Sequence, residues 1–345
     1  MKRIAIQIIL ISFLAIQSIP ANAQNFSISG VITDADSGDP LPFVNVFLAN
    51  TTIGDASDSA GLYVLERVPS ASYELVISRI GYELHVIPVR VVDQDLVINA
   101  SLAVKPIEGA EVQVEAEAPD EWIDLLNEFR TNFIGTSSRA KNTHIMNPQV
   151  LQFSRDPETN ALIAKTDSML YIRNKELGYD IDVLLEHFHW YGDTGSYIIY
   201  PQFAEINFDN PRQKRRTIKR REALFERSLR QFLAYLARFE IPRIYSVKIY
   251  TTKPQPGYKE LDKNELLLIL KKSPFDSAVR RLEVSKSIRV DYEMINAPSI
   301  LSLKYGYLDI NEYGNYLPMD GLILSGYWAT FRLADSLPSN YWPAE

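Results

Sequence analysis

Between Phe26 and Val114 apolar residues recur on a period of two, in short runs cut by clusters of turn-forming residues. A strand places every second side chain on one face, so this pattern commits the stretch to short β-strands. Val44, Val46 and Leu48 share a face, as do Tyr73, Leu75 and Ile77, then Ile87, Val89 and Val91, then Leu96, Ile98 and Leu102. Asp34 to Pro40, Asp55 to Gly61 and Pro69 to Ser72 separate them, rich in the Asp, Gly, Pro and Ser that turns require. About seven strands in roughly ninety residues predict a small antiparallel sandwich.

Four pieces give this stretch a family character: Gly30-Val31-Ile32-Thr33-Asp34, the run from Gly38 to Val46, Asp58-Ser59-Ala60-Gly61-Leu62-Tyr63, and Ser78-Arg79-Ile80-Gly81-Tyr82. With them, Ile28 to Val114 resembles the carboxypeptidase-like regulatory domain, a transthyretin-like sandwich of the carbohydrate-binding-like fold. The resemblance implies a module that accompanies others in envelope proteins of the Bacteroidota, including the N-terminal extension of outer-membrane nutrient transporters. It implies no peptidase activity, because the catalytic domain of true carboxypeptidases is a separate unit.

The compartment reading agrees. Lys2 and Arg3 precede an apolar run from Ile4 to Ile16, and Ala21-Asn22-Ala23 presents small residues at the positions a signal peptidase reads, so cleavage is expected before Gln24. Losing the two basic signal residues takes Lys+Arg from 36 to 34 against 43 acids, a mature net charge of about −9. That sign and an exported location disfavour general nucleic-acid binding. The chain has no cysteine, which removes disulfides, thiolate chemistry, Cys-based metal sites and a lipid-modified N-terminal Cys. No later stretch approaches the ~20 consecutive apolar residues of a membrane helix, so no transmembrane span is expected in the mature chain.

After Ala116 the period changes. Trp122, Leu125, Leu126, Phe129 and Phe133 follow helical spacing, with Asp120 near the N-cap and Gly135 as a stop. Strand-like runs return from Val150 to Phe208, a second helix is expected from Thr217 to Arg238, and Tyr245 to Pro343 reads as short β-segments with turns at Pro254 to Gly257, Asn311 to Asn315 and Pro318 to Gly321. The segments from Tyr171 to Trp190, Arg220 to Leu236 and Gly321 to Pro343 resemble a domain found behind this sandwich in the same bacteria, for which no catalytic residues are implied. The expected protein is mainly β. A signal peptide (1–23), a seven-stranded transthyretin-like sandwich (24–115) and a helical linker (116–140) precede a β-rich α+β domain (141–345) with about two amphipathic helices.

Candidate sites lie in that second domain. His187 and His189 point to one strand face roughly 6.5–7 Å apart at Cα, and with Glu186 or Asp193 they are weak metal candidates; exposed sheet histidines are the plainer reading, since no third ligand is specified. Phe188, Trp190 and Tyr191, with Tyr327, Trp328, Tyr341 and Trp342, suit either core packing, which is favoured, or stacking on a sugar. Strand alternation sends Phe188 and Trp190 away from the histidines. Arg212, Lys214, Arg215, Arg216, Lys219, Arg220 and Arg221 place seven cations in ten residues of an acidic protein, a candidate grip for lipid phosphates, an acidic glycan or an acidic partner. Read plainly, the run is a solvated helix start, although cations there oppose the helix dipole.

Catalysis leaves little trace. Neither a Gly-x-Ser-x-Gly elbow nor a Ser-x-x-Lys pair nor a phosphate-binding glycine loop occurs, while Asp180 and Asp182 share a strand face as a glycosidase pair would. No cofactor is expected. The leading expectation is a non-enzymatic exported protein of the periplasm, outer membrane or cell surface, binding an envelope protein, a glycan or the membrane surface. The alternatives are a secreted hydrolase of peptide or glycan centred on His187 and His189, or an accessory subunit of an outer-membrane nutrient transporter. A small membrane barrel is opposed by the basic helix and by the charged stretch from Lys259 to Lys286.

Overall fold

The computed structural model describes residues 25–105, 120–242, 245–251, 256–274, 279–293 and 295–343. The expected signal peptide and part of the predicted turn at 254–257 lie outside them.

The alternating stretch folds as two facing four-stranded sheets. Its strands are β1 (Asn25–Asp34), β2 (Asn45–Leu48), β3 (Gly54–Ala56), β4 (Leu62–Pro69), β5 (Ala71–Ser78), β6 (His85–Val91), β7 (Leu96–Val97) and β8 (Ala100–Leu102). One sheet holds β4, β1, β7 and β8, and the other runs β3-β2-β5-β6. Their facing sides bury Ile28, Ile32, Val44, Val46, Leu48, Leu75, Ile77 and Val89, the period-two positions of the sequence. The edge of β1 is closed by β7 and β8 running parallel to it, where simple meandering predicts only antiparallel pairs.

Local chemistry explains the family-like pieces. Asp58 Oδ1 accepts from the amides of Ala60 and Leu62 at 2.8 and 2.9 Å, an Asx turn, and Gly61 follows at φ +74°, where a Cβ would lie 2.4 Å from the Ile32 carbonyl. Buried Tyr63 then donates to the Ile98 carbonyl at 2.8 Å, and Gly30 clears the same carbonyl, since a Cβ there would sit 1.9 Å from it.

The second sheet of the sandwich also buries an apolar patch on its outer face. Phe47 and Val76 are cross-strand partners on its outer side and are fully buried, together with Ala49, against Tyr200, with Val86 and Leu184 at the margin. Tyr200 and Leu184 belong to the second domain, so the sandwich is docked rather than tethered. The join includes backbone pairing: the Asn50 amide donates to the Pro201 carbonyl at 2.7 Å, and the Phe203 amide donates to the Thr51 carbonyl at 2.8 Å.

Residues 120–343 carry two further cores. The first is built on β9 (Thr143–Ile145), β10 (Gln152–Arg155), β11 (Leu162–Lys165), β12 (Leu170–Asn174) and the long hairpin of β13 (Tyr179–Tyr191) and β14 (Thr194–Glu205). Helix α1 (Asp120–Phe133) packs onto it: Phe129 and Phe133 are fully buried, and the Phe129 ring lies 4.8 Å from that of Phe188. The helix read from the sequence as a linker therefore contributes to this core.

The second core joins two sheets, β16 (Gly257–Glu260), β15 (Tyr245–Thr251), β19 (Ile288–Tyr292), β20 (Ile295–Leu303) and β23 (Leu322–Gly326) in one, β17 (Leu270–Lys272), β18 (Arg280–Glu283), β21 (Tyr307–Ile310) and β22 (Tyr316–Leu317) in the other. Phe232, Leu233 and Leu236 pack into it.

The single helix expected over 217–238 is two. Helix α2 (Pro211–Phe225) starts earlier, with Asn210 accepting from the Arg212 amide at 2.9 Å, and α3 (Leu229–Arg238) starts anew at Ser228. Ser228 both donates to the Phe225 carbonyl at 2.7 Å and accepts from the Gln231 amide at 3.1 Å, so it ends one helix and caps the next. A fourth helix, α4 (Lys263–Ile269), opens with an Asp262/Glu265 capping box that sequence periodicity passed over. The turns at Asn311 to Asn315 and Pro318 to Gly321 are present as expected.

The docking cluster yields a stability test. Phe47→Ala leaves a cavity between sandwich and second domain without touching the sandwich's own core, and is expected to cost about 3–5 kcal/mol. Urea unfolding of the variant against the parent measures it.

Candidate functional site

His187 and His189 sit on β13 just past a bulge at Glu186, where the pairing with β14 shifts between Leu185 and His187. The bulge exchanges the inward positions. Before it the odd residues Ile181, Val183 and Leu185 are buried, and after it Phe188 and Trp190 are. The histidines thus face outward, their rings nearly parallel with centroids 6.2 Å apart. Ser196 Oγ lies 3.4 Å from His187 Nε2, and Asp156 Oδ2 lies 3.9 Å from His189 Nε2, too far for a hydrogen bond. Asp156 is committed to its own turn. Bonds from the Thr159 amide and hydroxyl hold its carboxyl below the usual range, with lesser help from the Glu158 amide and His189.

An open groove of about 650 Å³ runs past His189, bounded by Glu158, Thr159, Tyr191, Thr194 and Ser196. Among the described residues no three His, Cys, Asp or Glu side chains converge as a metal site would need. The Asp156 to Thr159 turn that forms one wall was not singled out in the sequence, although Asp-Pro-Glu-Thr is turn-forming by composition.

The aromatic candidates divide. Phe188, Trp190 and Trp328 are core residues, whereas Tyr191 is 59% exposed at the hairpin tip and Trp342 is 37% exposed. The Trp342 ring is nonetheless engaged edge-on with Phe225 at 4.8 Å.

The basic run also divides. Arg221 is buried: its Nε donates to the Leu177 carbonyl at 2.7 Å, one terminal nitrogen to the Gly178 carbonyl at 3.0 Å, the other to Glu205 at 2.5 Å, and its guanidinium lies 3.9 Å from the Tyr179 ring centre. It belongs to the fold and not to an anion-binding surface, contrary to the reading that grouped it with its neighbours. Arg220 pairs with Glu176 at 2.9 Å. Arg212, Lys214, Arg215, Arg216 and Lys219 are exposed, and none joins an ion pair with the described residues.

The proposed carboxylate pair is unequal. Asp180 is held by Arg173 through bonds of 2.7 and 2.9 Å. Among the described residues Asp182 has no such partner, and burial, with the nearby charge of Asp180 adding, raises its carboxyl above the usual range.

Residues 28–114 match the CarboxypepD_reg-like domain family. The match covers the sandwich and ends before α1. No curated protein matches the sequence. Among solved structures, a chain of a type II cohesin–X-dockerin complex from Acetivibrio cellulolyticus is 17% identical, covering 29% of this chain and 71% of that chain at a TM-score of 0.22. A protein of Bacteroides uniformis described as a candidate carbohydrate-binding protein is 10% identical, covering 88% of this chain and 99% of that chain at a TM-score of 0.20. A Bacteroides fragilis protein described as a candidate membrane-associated protein of unknown function is 11% identical, covering 88% and 94% at a TM-score of 0.19. Superpositions this loose fix neither fold nor ligand for this chain.

Two outcomes follow from the site chemistry. Arg221→Ala takes the donor from the Leu177 carbonyl, one of two donors from the Gly178 carbonyl, which keeps the Ile206 amide, and the partner from Glu205, and is expected to cost roughly 2–4 kcal/mol, while Arg212→Ala stays within about 0.5 kcal/mol; paired urea titrations separate them. Asp182 carries a folded-state pKa above its unfolded value, so the proton favours the fold, and stability falls as pH rises through the raised pKa. Asp182→Asn is therefore expected to raise the melting temperature at neutral pH, with the gain vanishing below about pH 4, where the native carboxyl is protonated in both states.

Proposed function

We propose that this chain is an exported, non-enzymatic accessory protein of the cell envelope that binds a protein, glycan or membrane-surface partner. The observation that carries the reading is the docking of a CarboxypepD_reg-like sandwich onto a second domain by shared strand pairing and a common buried cluster. A module welded in this way serves as a mount that holds the second domain at a fixed attitude. The signal-like segment from Lys2 to Ala23 supports export, and no helix among the described residues is long and apolar enough to cross a membrane. Service beside an outer-membrane nutrient transporter is a narrower form of the same reading.

A second reading has one observation in its favour. The Ser196 hydroxyl beside His187, with His189 and Asp156 adjoining, assembles the residue types of a hydrolase on one sheet face. Against it, the 3.9 Å gap between His189 and Asp156 leaves the second ring without an orienting bond, and His187 and Ser196 are exposed beside an open groove rather than set in a cleft that excludes water.

Expression of the full chain in its native host tests both. The mature N-terminus is expected at Gln24, with the protein in the envelope fraction. A cytoplasmic chain retaining Lys2 and Arg3 overturns the accessory reading. Peptidase or glycosidase activity lost in a His187→Ala, His189→Ala double variant that remains folded establishes the hydrolase instead.

A further inference from the structure

The exposed cations of α2 form a line. At 100° per residue Arg212, Arg215, Arg216 and Lys219 fall at i, i+3, i+4 and i+7, within about 100° of one another on the helix surface. Thr217, Arg221, Leu224 and Phe225 form the opposite, buried face. The line points to solvent along roughly 10 Å of helix axis.

Folding gains nothing from this arrangement. Like charges three and four residues apart repel across the helix surface, and the line begins in the first turn, where the helix dipole already presents positive charge. No acidic residue of the described chain neutralises any of the four. The fold had the means to do so, since the adjoining Arg220 and Arg221 are both paired with carboxylates.

The shape of the line selects the partner. A bilayer would meet a planar field of cations with apolar side chains to insert among the lipids. The line carries no apolar residue; Ile218, 37% exposed, stands on its flank, and acidic Glu222 and Glu226 follow at the end of the helix. On this convex ridge the four cations stand at three levels about one helical turn apart, Arg212, then Arg215 with Arg216, then Lys219, which matches a polymer with one anion per unit of similar length. A uronic-acid polysaccharide has that form, with a carboxylate on each sugar ring and one ring spanning roughly one 5.4 Å helical turn. Three of the four cations are arginine, whose planar fork engages a carboxylate through two parallel bonds.

We infer that the outer face of α2 binds a linear acidic polysaccharide through Arg212, Arg215, Arg216 and Lys219. This deepens the accessory-protein reading and rests on it for the compartment in which such a polymer is met.

The test is affinity electrophoresis and calorimetry of the mature chain with polygalacturonate, with neutral dextran and with vesicles containing phosphatidylglycerol. Binding to polygalacturonate is expected, weakening steeply with salt as counterion release requires, with none to dextran. The R212Q/R215Q/R216Q/K219Q variant is expected to bind at least tenfold more weakly and to melt no lower than the parent, because removing self-repulsion does not destabilise the helix. Unchanged affinity in the variant, no binding by the parent, or binding only to vesicles overturns the inference. Those results leave the accessory reading standing if the chain is still found processed in the envelope, whereas a cytoplasmic location defeats that reading whatever the binding shows.

Discussion

The segment from Tyr327 to Tyr341 is the constraint on which the arrangement of the three cores depends. Trp328 is buried beside Phe232 and donates through its indole to the Arg227 carbonyl at 3.0 Å, which fixes the segment in the last core. Five residues on, Leu333 and Ala334 are buried in the core of α1 and β13. There the Ala334 amide donates to the Ile134 carbonyl and Asp335 meets Arg139 at 2.5 Å. The segment then reaches the sandwich, where the Ser339 amide donates to the Asn50 carbonyl and Asn340 bonds Thr52 across 288 residues of sequence. Arg230 of α3 holds the same stretch through the carbonyls of Pro338 and Tyr341. Closing a loop that long costs little more entropy than closing a short one, because the cost grows only with the logarithm of length. One short segment can therefore couple cores far apart in sequence.

How far the sequence reveals this structure differs by region for physical reasons. The sandwich was legible because its core faces obey a strict period of two and its turns use Asp and Gly in positions that only those residues fill without strain. The docking face left a signal as well. Val46-Phe47-Leu48 and Leu75-Val76-Ile77 are unbroken apolar triplets, and a strand without alternation is buried on both sides. The break between α2 and α3 was written as Ser228-x-x-Gln231 and the start of α4 as Asp262-x-x-Glu265. Hydrophobic periodicity overrode the capping chemistry in the first case, and the short β-like runs around Lys259 to Lys286 obscured it in the second. The path of the C-terminal segment was not legible, since its contacts are backbone bonds and single side chains with no periodicity to detect.

The candidate site was half legible for a similar reason. Periodicity separates His187 and His189 from Phe188 and Trp190, and the structure keeps that separation across the Glu186 bulge. Composition alone grouped Arg221 with its basic neighbours. On the helix Arg221 lies only 40° from buried Thr217, whereas Lys219 lies 160° away, so a helical projection begun at the correct N-cap divides the run. The sequence supplied that cap as Asn210-Pro211, an N-cap residue followed by the proline that favours the first helical position.

Strand β14 connects the sandwich to the basic helix. Gln202 faces Thr51 of the sandwich and, three residues later, Glu205 receives the guanidinium of Arg221. Arg221 in turn bonds the carbonyls of Leu177 and Gly178 at the start of β13, pinning α2 to the hairpin from its buried side. The cations on the outer face of α2 are thus carried on backbone that is anchored before any ligand arrives. Binding then orders only their side chains, at about 0.5–1.5 kcal/mol for each one immobilised, and no backbone must be fixed at the same time. A weak electrostatic contact can be useful under those terms, because little of its free energy is consumed in building the surface that makes it.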